Sequence, residues 1–235
     1  MPSSIKNLAI IPARGGSKRI PRKNIKEFFG KPIIAYSIEA ALGSKLFDEV
    51  MVSTDDQDVA DIAISFGAKV PFLRSKQNSN DFATTADVIF EVVKKFEEKS
   101  TYYDNLCCIY PTAIFLDATK LEISFDKFRE SNVDSLIPVT KFSYPIQRGL
   151  VIDENNEIGY LQPENRFKRS QDLESVYHDA GQFYWLKTDS FMTQRDMIMR
   201  HSLPFTLTEY EVQDIDTFED WAVAEIKYKI FKNLE

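Results

Sequence analysis

The chain has 235 residues, 43% hydrophobic and 13% aromatic, with a formal net charge of −7. This is the composition of a folded globular protein rather than a disordered one, and the length suits one large α/β domain or one domain with a sizeable insertion. The acidity argues against general nucleic-acid binding, which needs a broad basic surface, and no apolar run approaches the roughly 20 residues that span a bilayer.

In chain order, short apolar runs alternate with segments of helical period. Strands are expected over 8–11, 49–53, 69–73, 105–110 and 135–139. Helices are expected over 32–42, 58–66, 85–96 and 117–128, each with its apolar residues on one face, as with Val59, Ile62, Ala63 and Phe66. Strands separated by helices of this length imply right-handed crossovers and a mainly parallel sheet flanked by helices. LAII before Pro12 is too short for a signal-peptide core. Cys107 and Cys108 are adjacent in the apolar run LCCIYP, where a strand points them to opposite faces. They fit neither a disulfide framework nor a zinc pair, and a reducing cytoplasm is the expected location.

Residues 142–178 break the rhythm. GLVIDENNEIGYL reads as a hairpin turning at Asn155 and Asn156, and the polar ENRFKRSQDLES follows. The expectation is a single domain over 1–235 with an inserted arm at 142–178, lying over the active site or in a subunit interface. GQFYWL and FTLTEYEVQDID read as further strands. The chain closes in a helix with Trp221, Glu225, Tyr228 and Phe231 on one side, a stripe that reads as core. Thr217 and Asp220 have capping-box spacing at its start.

Behind the first strand comes PARGGSKRIPRKN. Six cations, Arg14, Lys18, Arg19, Arg22, Lys23 and Lys26, fall between positions 14 and 26 with no acid among them. In open α/β sheets ligands bind at the carboxyl ends of strands, where this loop begins. Gly15 and Gly16 let the backbone approach an anion closely and aim N–H groups at phosphate oxygens, while Arg14, Lys18 and Lys23 add charge. The alternative is a merely solvated basic surface. The loop is neither a P-loop nor the dinucleotide fingerprint. So local a charge on an acidic protein suits a small, highly charged anion.

In VQDIDTFED, Asp214 and Asp216 sit two apart on an expected strand end, so both carboxylates face one side. Two hard oxygen ligands suit magnesium, which keeps few carboxylates and adds substrate phosphates. Asp216 also suits the cap of the last helix, and both roles can be filled at once. Asp55, at the end of EVMVST, reads equally as a ribose or cation contact and as a plain turn aspartate.

IIPARGGSKRIPRKNI resembles the signature of the cytidylyltransferases that activate nine-carbon ulosonic acids, the CMP-sialic acid synthetase family. VSTDD, FLR, YPT, DAGQFYW and QDIDT follow in the family's order, so the resemblance covers almost the whole chain. Arg19 and Lys26, with YPTA and HDAGQFYW, make it most similar to the pseudaminic acid branch.

The resemblance implies a GT-A-like Rossmann-type α/β fold, a CTP donor, Mg2+, release of pyrophosphate and a homodimer. It places Arg14, Gly15, Gly16, Ser17, Lys18, Lys23, Asn24, Arg74 and Thr85 around the nucleotide, and Asp214 and Asp216 at the metal. The anomeric hydroxyl of the sugar would attack the α-phosphate, with Arg14, Lys23 and Asp214 as catalytic groups and the proton going to Asp214 or a metal-bound hydroxide. For the sugar, the expected contacts are Tyr110, Arg148 from the arm, Gln182 and Tyr184, with His178 as a hydrogen-bonding neighbour. YPTAIFLD departs from the Q-P-T-S-P-x-R of the sialic acid enzymes. Ile114 and Phe115 are therefore read either as an apolar corner suited to a methyl-ended tail or as core residues with no bearing on substrate. The rival readings are N-acetylneuraminic or legionaminic acid as acceptor, and a nucleotide-binding protein without catalysis.

Overall fold

The computed structural model describes residues 5–234. In chain order the elements are β1 (Asn7–Pro12), β2 (Glu27–Phe28), β3 (Lys31–Pro32), α1 (Ile34–Ser44), β4 (Glu49–Ser53), α2 (Gln57–Ser65), α3 (Thr85–Glu98) and β5 (Asn105–Ile109). They continue with α4 (Ala118–Glu130), β6 (Ser135–Lys141), β7 (Leu150–Ile152), β8 (Ile158–Tyr160), β9 (Tyr177–Asp179), β10 (Phe183–Lys187), α5 (Thr188–Gln194), β11 (Ser202–Leu207) and α6 (Phe218–Lys232). The central sheet has the order β11-β6-β10-β5-β1-β4, with β9 added beside β6. β1 runs parallel to β4 and β5, and β11 parallel to β6, so the sheet is mainly parallel. β10 enters antiparallel between β5 and β6, and β9 is antiparallel to β6.

Both faces of this sheet are covered, which is why β1 reads as an unbroken apolar run rather than an alternating one. Ala9 and Ile11 pack with Cys107, Ile109 and Trp185 against α1, α2 and α4. Leu8 and Ile10 pack with Cys108, Tyr184 and Leu186 against α3 and α5. The two cysteines are thus buried on opposite faces, and burial pushes both thiols up, leaving them protonated and inert. A third cluster joins Phe28 and Ile33 to Trp221 and Tyr228 of α6, with Phe231 packed beside it. The Thr217–Asp220 capping box forms, and Trp221 Nε1 donates to Glu225.

Several expectations are corrected. Residues 69–73 form no strand: Lys69 makes one parallel bridge to Met51, and Pro71, lacking an N–H, cannot extend the ladder. The strand expected through 216 ends at Leu207, because the Thr208–Glu211 capping box turns the chain into a short 3-10 helix. Asp214 and Asp216 therefore lie on an irregular segment, held by Ile215, which is fully buried between them. Ile114 and Phe115 are 2% and 1% exposed in the cluster with α6, so the apolar-corner reading falls and they carry no substrate information. The β2–β3 ribbon, β9 and α5 were not legible, being too short for a periodic signal.

Within 142–178 the hairpin β7–β8 does turn at the expected asparagines, with Asn156 at φ 63° and Asp153 Oδ1 accepting from the N–H groups of Asn155 and Glu157. Both strands are exposed on both faces. Among the described residues, no helix is long and apolar enough to cross a membrane.

Candidate active site

The loop leaving β1 and the segment before α3 face each other across a cleft of about 590 Å³ at the carboxyl end of β1. Arg14, Lys18, Arg19, Lys23 and Arg74 line it, together with Ser17, Asn24, Thr85, Tyr110, Asp214 and Asp216. Four of the six loop cations thus reach the cleft. The other two staple the loop to the body: Arg22 pairs with Asp56 and Asp58, each at 2.8 Å, and Lys26 lies 5.4 Å over the ring of Trp221.

The cleft cations are already engaged. Arg14 and Lys18 share Asp81, Arg19 pairs with Asp216 at 2.8 Å, and Lys23 donates to the carbonyl of Ile215 at 2.6 Å and to Asp216 at 3.2 Å. Asn24 Nδ2 donates to the carbonyl of Arg14 at 2.9 Å, shaping the loop rather than only lining the cleft. Arg74 is buried, its guanidinium donating to the hydroxyl and carbonyl of Ser53 at the end of β4, and burial lowers its pKa. Its side chain is therefore preset by β4.

The glycine pair serves differently from expectation. The Gly15 N–H donates to Asp55 Oδ1 at 3.0 Å, so Asp55 braces the loop. A Cβ on Gly15 would stand 2.4 Å from Asp56 Oδ2, which excludes a side chain there, whereas Gly16 faces open space. The cleft lining passes from Arg14 to Ser17 without either glycine.

Asp214 is exposed as a residue, but the protein packed around its carboxyl, and then the charge of Asp216, raise its pKa. Two neighbouring carboxylates at the mouth of an anion cleft fit a hard divalent cation, which would offset the charge held unfavourably on Asp214 and take its remaining ligands from phosphate and water. Among the described residues, no group of three or more His, Cys, Asp or Glu is arranged to hold a metal. The pair would therefore have to share the ion with phosphate and water, and Asp216 would have to loosen its pairs with Arg19 and Lys23.

Of the expected sugar contacts, Tyr110 lines the cleft, its hydroxyl 3.2 Å from Thr85 Oγ1. Tyr184 and Gln182 lie behind it. The Tyr184 hydroxyl donates to Asp179 at 2.7 Å, and the Gln182 amide donates to the carbonyl of Glu211. Both are almost fully buried and stay away from the cleft surface. Arg148 sits in the arm and donates to Ser170 Oγ at 3.3 Å. His178 packs on the ring of Phe142 at 4.7 Å. None of these four lines the cleft.

Sequence reasoning passed over Asn78, Asn80 and Asp81, which line the wall opposite the basic loop. The polar NSND just before the α3 cap was the available signal. Glu91 of α3 anchors this wall: it accepts from the N–H and hydroxyl of Ser75 at 2.8 and 2.7 Å and from Asn78 Nδ2, and pairs with Lys95. Burial alone would raise its pKa, but the bonds from Lys95, Ser75 and Asn78 outweigh it and hold the carboxyl at about 2. The folded-state value is below the unfolded one, so this stabilisation is present above pH 4.5 and is lost as pH falls toward 2. Glu91→Gln should destabilise the fold by about 1–3 kcal/mol at neutral pH. Thermal unfolding should show the gap to wild type closing between pH 4.5 and 2, and a gap that stays constant would contradict the assignment.

The fold and sequence have clear counterparts. The chain is 44% identical to a pseudaminic acid cytidylyltransferase of Campylobacter jejuni over 96% of its own length and 97% of the relative's. It is 31% identical to a CMP-N,N'-diacetyllegionaminic acid synthase of Legionella pneumophila, covering 93% and 94% of the two chains. A solved CMP:2-keto-3-deoxy-manno-octonic acid synthetase in complex with CTP superposes with a TM-score of 0.69 at 20% identity, over 97% of this chain and all of that one. Fold and relatives together define a nucleotidyltransferase. Within that class the chain belongs to the cytidylyltransferase family, whose model matches residues 8–232.

Proposed function

We propose that the protein transfers CMP from CTP to the anomeric hydroxyl of a nine-carbon ulosonic acid, pseudaminic acid foremost, and releases pyrophosphate. The observation that carries the reading is the convergence of five cations and the Asp214–Asp216 pair on one cleft at the carboxyl end of β1. Pseudaminic acid as the acceptor rests on the 44% identity to relatives of that name.

In this reading the frame is GT-A-like, and the loop holds the triphosphate against Arg14, Lys18 and Lys23, with Ser17 and Asn24 shaping its turn. Arg74 and Thr85 contact the nucleoside side. The sugar hydroxyl attacks the α-phosphorus in line; the new O–P bond forms as the bridge to the β-phosphate breaks, and the electron pair leaves on pyrophosphate. Lys23 and Arg14 stabilise that developing charge. Of the cleft's three carboxylates, Asp214 is the one without an ion pair among the described residues, which suits it to receive the hydroxyl's proton. Asp214 and Asp216 would hold Mg2+, which would supply charge neutralisation at the phosphates. Tyr110 orients the sugar from the cleft wall.

Tyr184 and Gln182 act from behind that wall. Arg148 belongs to the 142–178 arm, whose exposed apolar hairpin we assign to a homodimer contact within an otherwise single domain. A cytoplasmic location goes with CTP as substrate.

The test is pyrophosphate release on mixing CTP, magnesium and candidate sugars. Pseudaminic acid should be preferred over N-acetylneuraminic acid by about tenfold or more in kcat/KM. Preference for a legionaminic or sialic acid would move the acceptor within the family. Absence of turnover with every ulosonic acid, with CTP bound, would favour a nucleotide-binding role without catalysis.

A further inference from the structure

Asp81 already stands as an anion in the cleft. Its Oδ1 accepts from Arg14 Nη1 at 2.8 Å and its Oδ2 from Lys18 Nζ at 2.5 Å, while Arg14 also donates to the carbonyl of Asn80 at 3.4 Å. One carboxylate therefore bridges two cations of the basic loop from the opposite wall. The bond from Lys18, then that from Arg14, holds its pKa below the usual carboxylate range, so it is charged at neutral pH.

The backbone that carries Asp81 is fixed on both sides, and Asn80 pins its turn by accepting from the N–H groups of Phe82 and Ala83, so any exchange of partners belongs to the Asp81 side chain. On one side Ser75 is locked onto Glu91, and on the other Thr84 and Asp87 form the capping box of α3. Between them the Asp81 side chain is 44% exposed and, among the described contacts, is held by those two cations. Exposed pairs of this kind exchange readily.

We propose that Asp81 is a built-in counter-anion that competes with the polyphosphate end of the ligand for Arg14 and Lys18 and so eases release of the pyrophosphate product, a deepening of the triphosphate reading on which it rests. A polyphosphate must take Arg14 and Lys18 away from Asp81 and has the charge to do so. A nucleoside monophosphate that does not reach these two cations is indifferent to Asp81. When pyrophosphate departs, Asp81 pairs with both cations again, which opposes rebinding of the product.

The experiment is calorimetric binding of CTP, pyrophosphate and CMP, each alone with magnesium, to wild type, Asp81→Asn and Asp81→Glu. Asp81→Asn should bind CTP and pyrophosphate about three- to tenfold more tightly, the scale set by two exposed ion pairs. CMP should bind unchanged, and Asp81→Glu should resemble wild type. Equal or weaker polyphosphate binding by Asp81→Asn would overturn the inference, as would an equal gain for CMP. Wild type that binds CTP and pyrophosphate, with no gain in the variant, overturns this inference alone. Wild type that binds neither overturns the proposed function with it.

Discussion

Asp214→Asn is expected to lower kcat by at least about a hundredfold, because charge neutralisation by a divalent ion at a transferring phosphate is worth several kcal/mol. The substitution keeps the shape of the side chain and removes the cleft carboxylate that has no ion pair among the described residues. Its carboxyl is raised by desolvation and then by Asp216, so the fold does not depend on its charge, and thermal stability should hold or rise slightly. Asp216→Asn should be as damaging but for two reasons at once, since Asp216 also orients Arg19 and Lys23. The measurement is steady-state pyrophosphate release against magnesium concentration. Excess magnesium should restore part of the Asp216→Asn rate and little of the Asp214→Asn rate. Near-normal turnover of Asp214→Asn at ordinary magnesium would remove this residue from the chemistry.

Lys23→Ala should reduce kcat/KM for CTP by about 10²–10³, the usual scale for losing one preorganised donor at a developing charge. Lys23 is the most sheltered of the loop's cleft cations, with 19% of its side chain exposed, and it is fixed at 2.6 Å by the carbonyl of Ile215. A sheltered, fixed ammonium is screened less than the Lys18 ammonium, whose side chain is 77% exposed. The same substitution at Lys18 should therefore cost less, and comparing the two kcat/KM values at low and high salt checks this. Equal losses in both variants would mean that charge count, rather than placement, governs the cleft.

How much of this was written in the sequence depends on the range of the interaction. Helices α1 to α4 and strands β1, β4, β5 and β6 were legible within two or three residues, because the periodicity of apolar residues acts over a few neighbours. The basic loop was legible because its six cations fall within one short stretch, positions 14 to 26, with no acid among them. The α6 stripe and its capping box were legible for the same local reason.

What the tertiary structure alone decided is which charges meet. No local rule pairs Arg14 with Asp81, 67 positions away, or Lys23 with Asp216, 193 positions away. Nor does one divide the loop into four cations for the cleft and two, Arg22 and Lys26, that fasten it to the body. The direction of β10 followed from its place between β5 and β6, and the burial of Ile114 and Phe115 from the packing of α6. A sequence carries residue types and local geometry; long-range pairing, and with it the charge balance of the cleft, exists only once the chain has closed on itself.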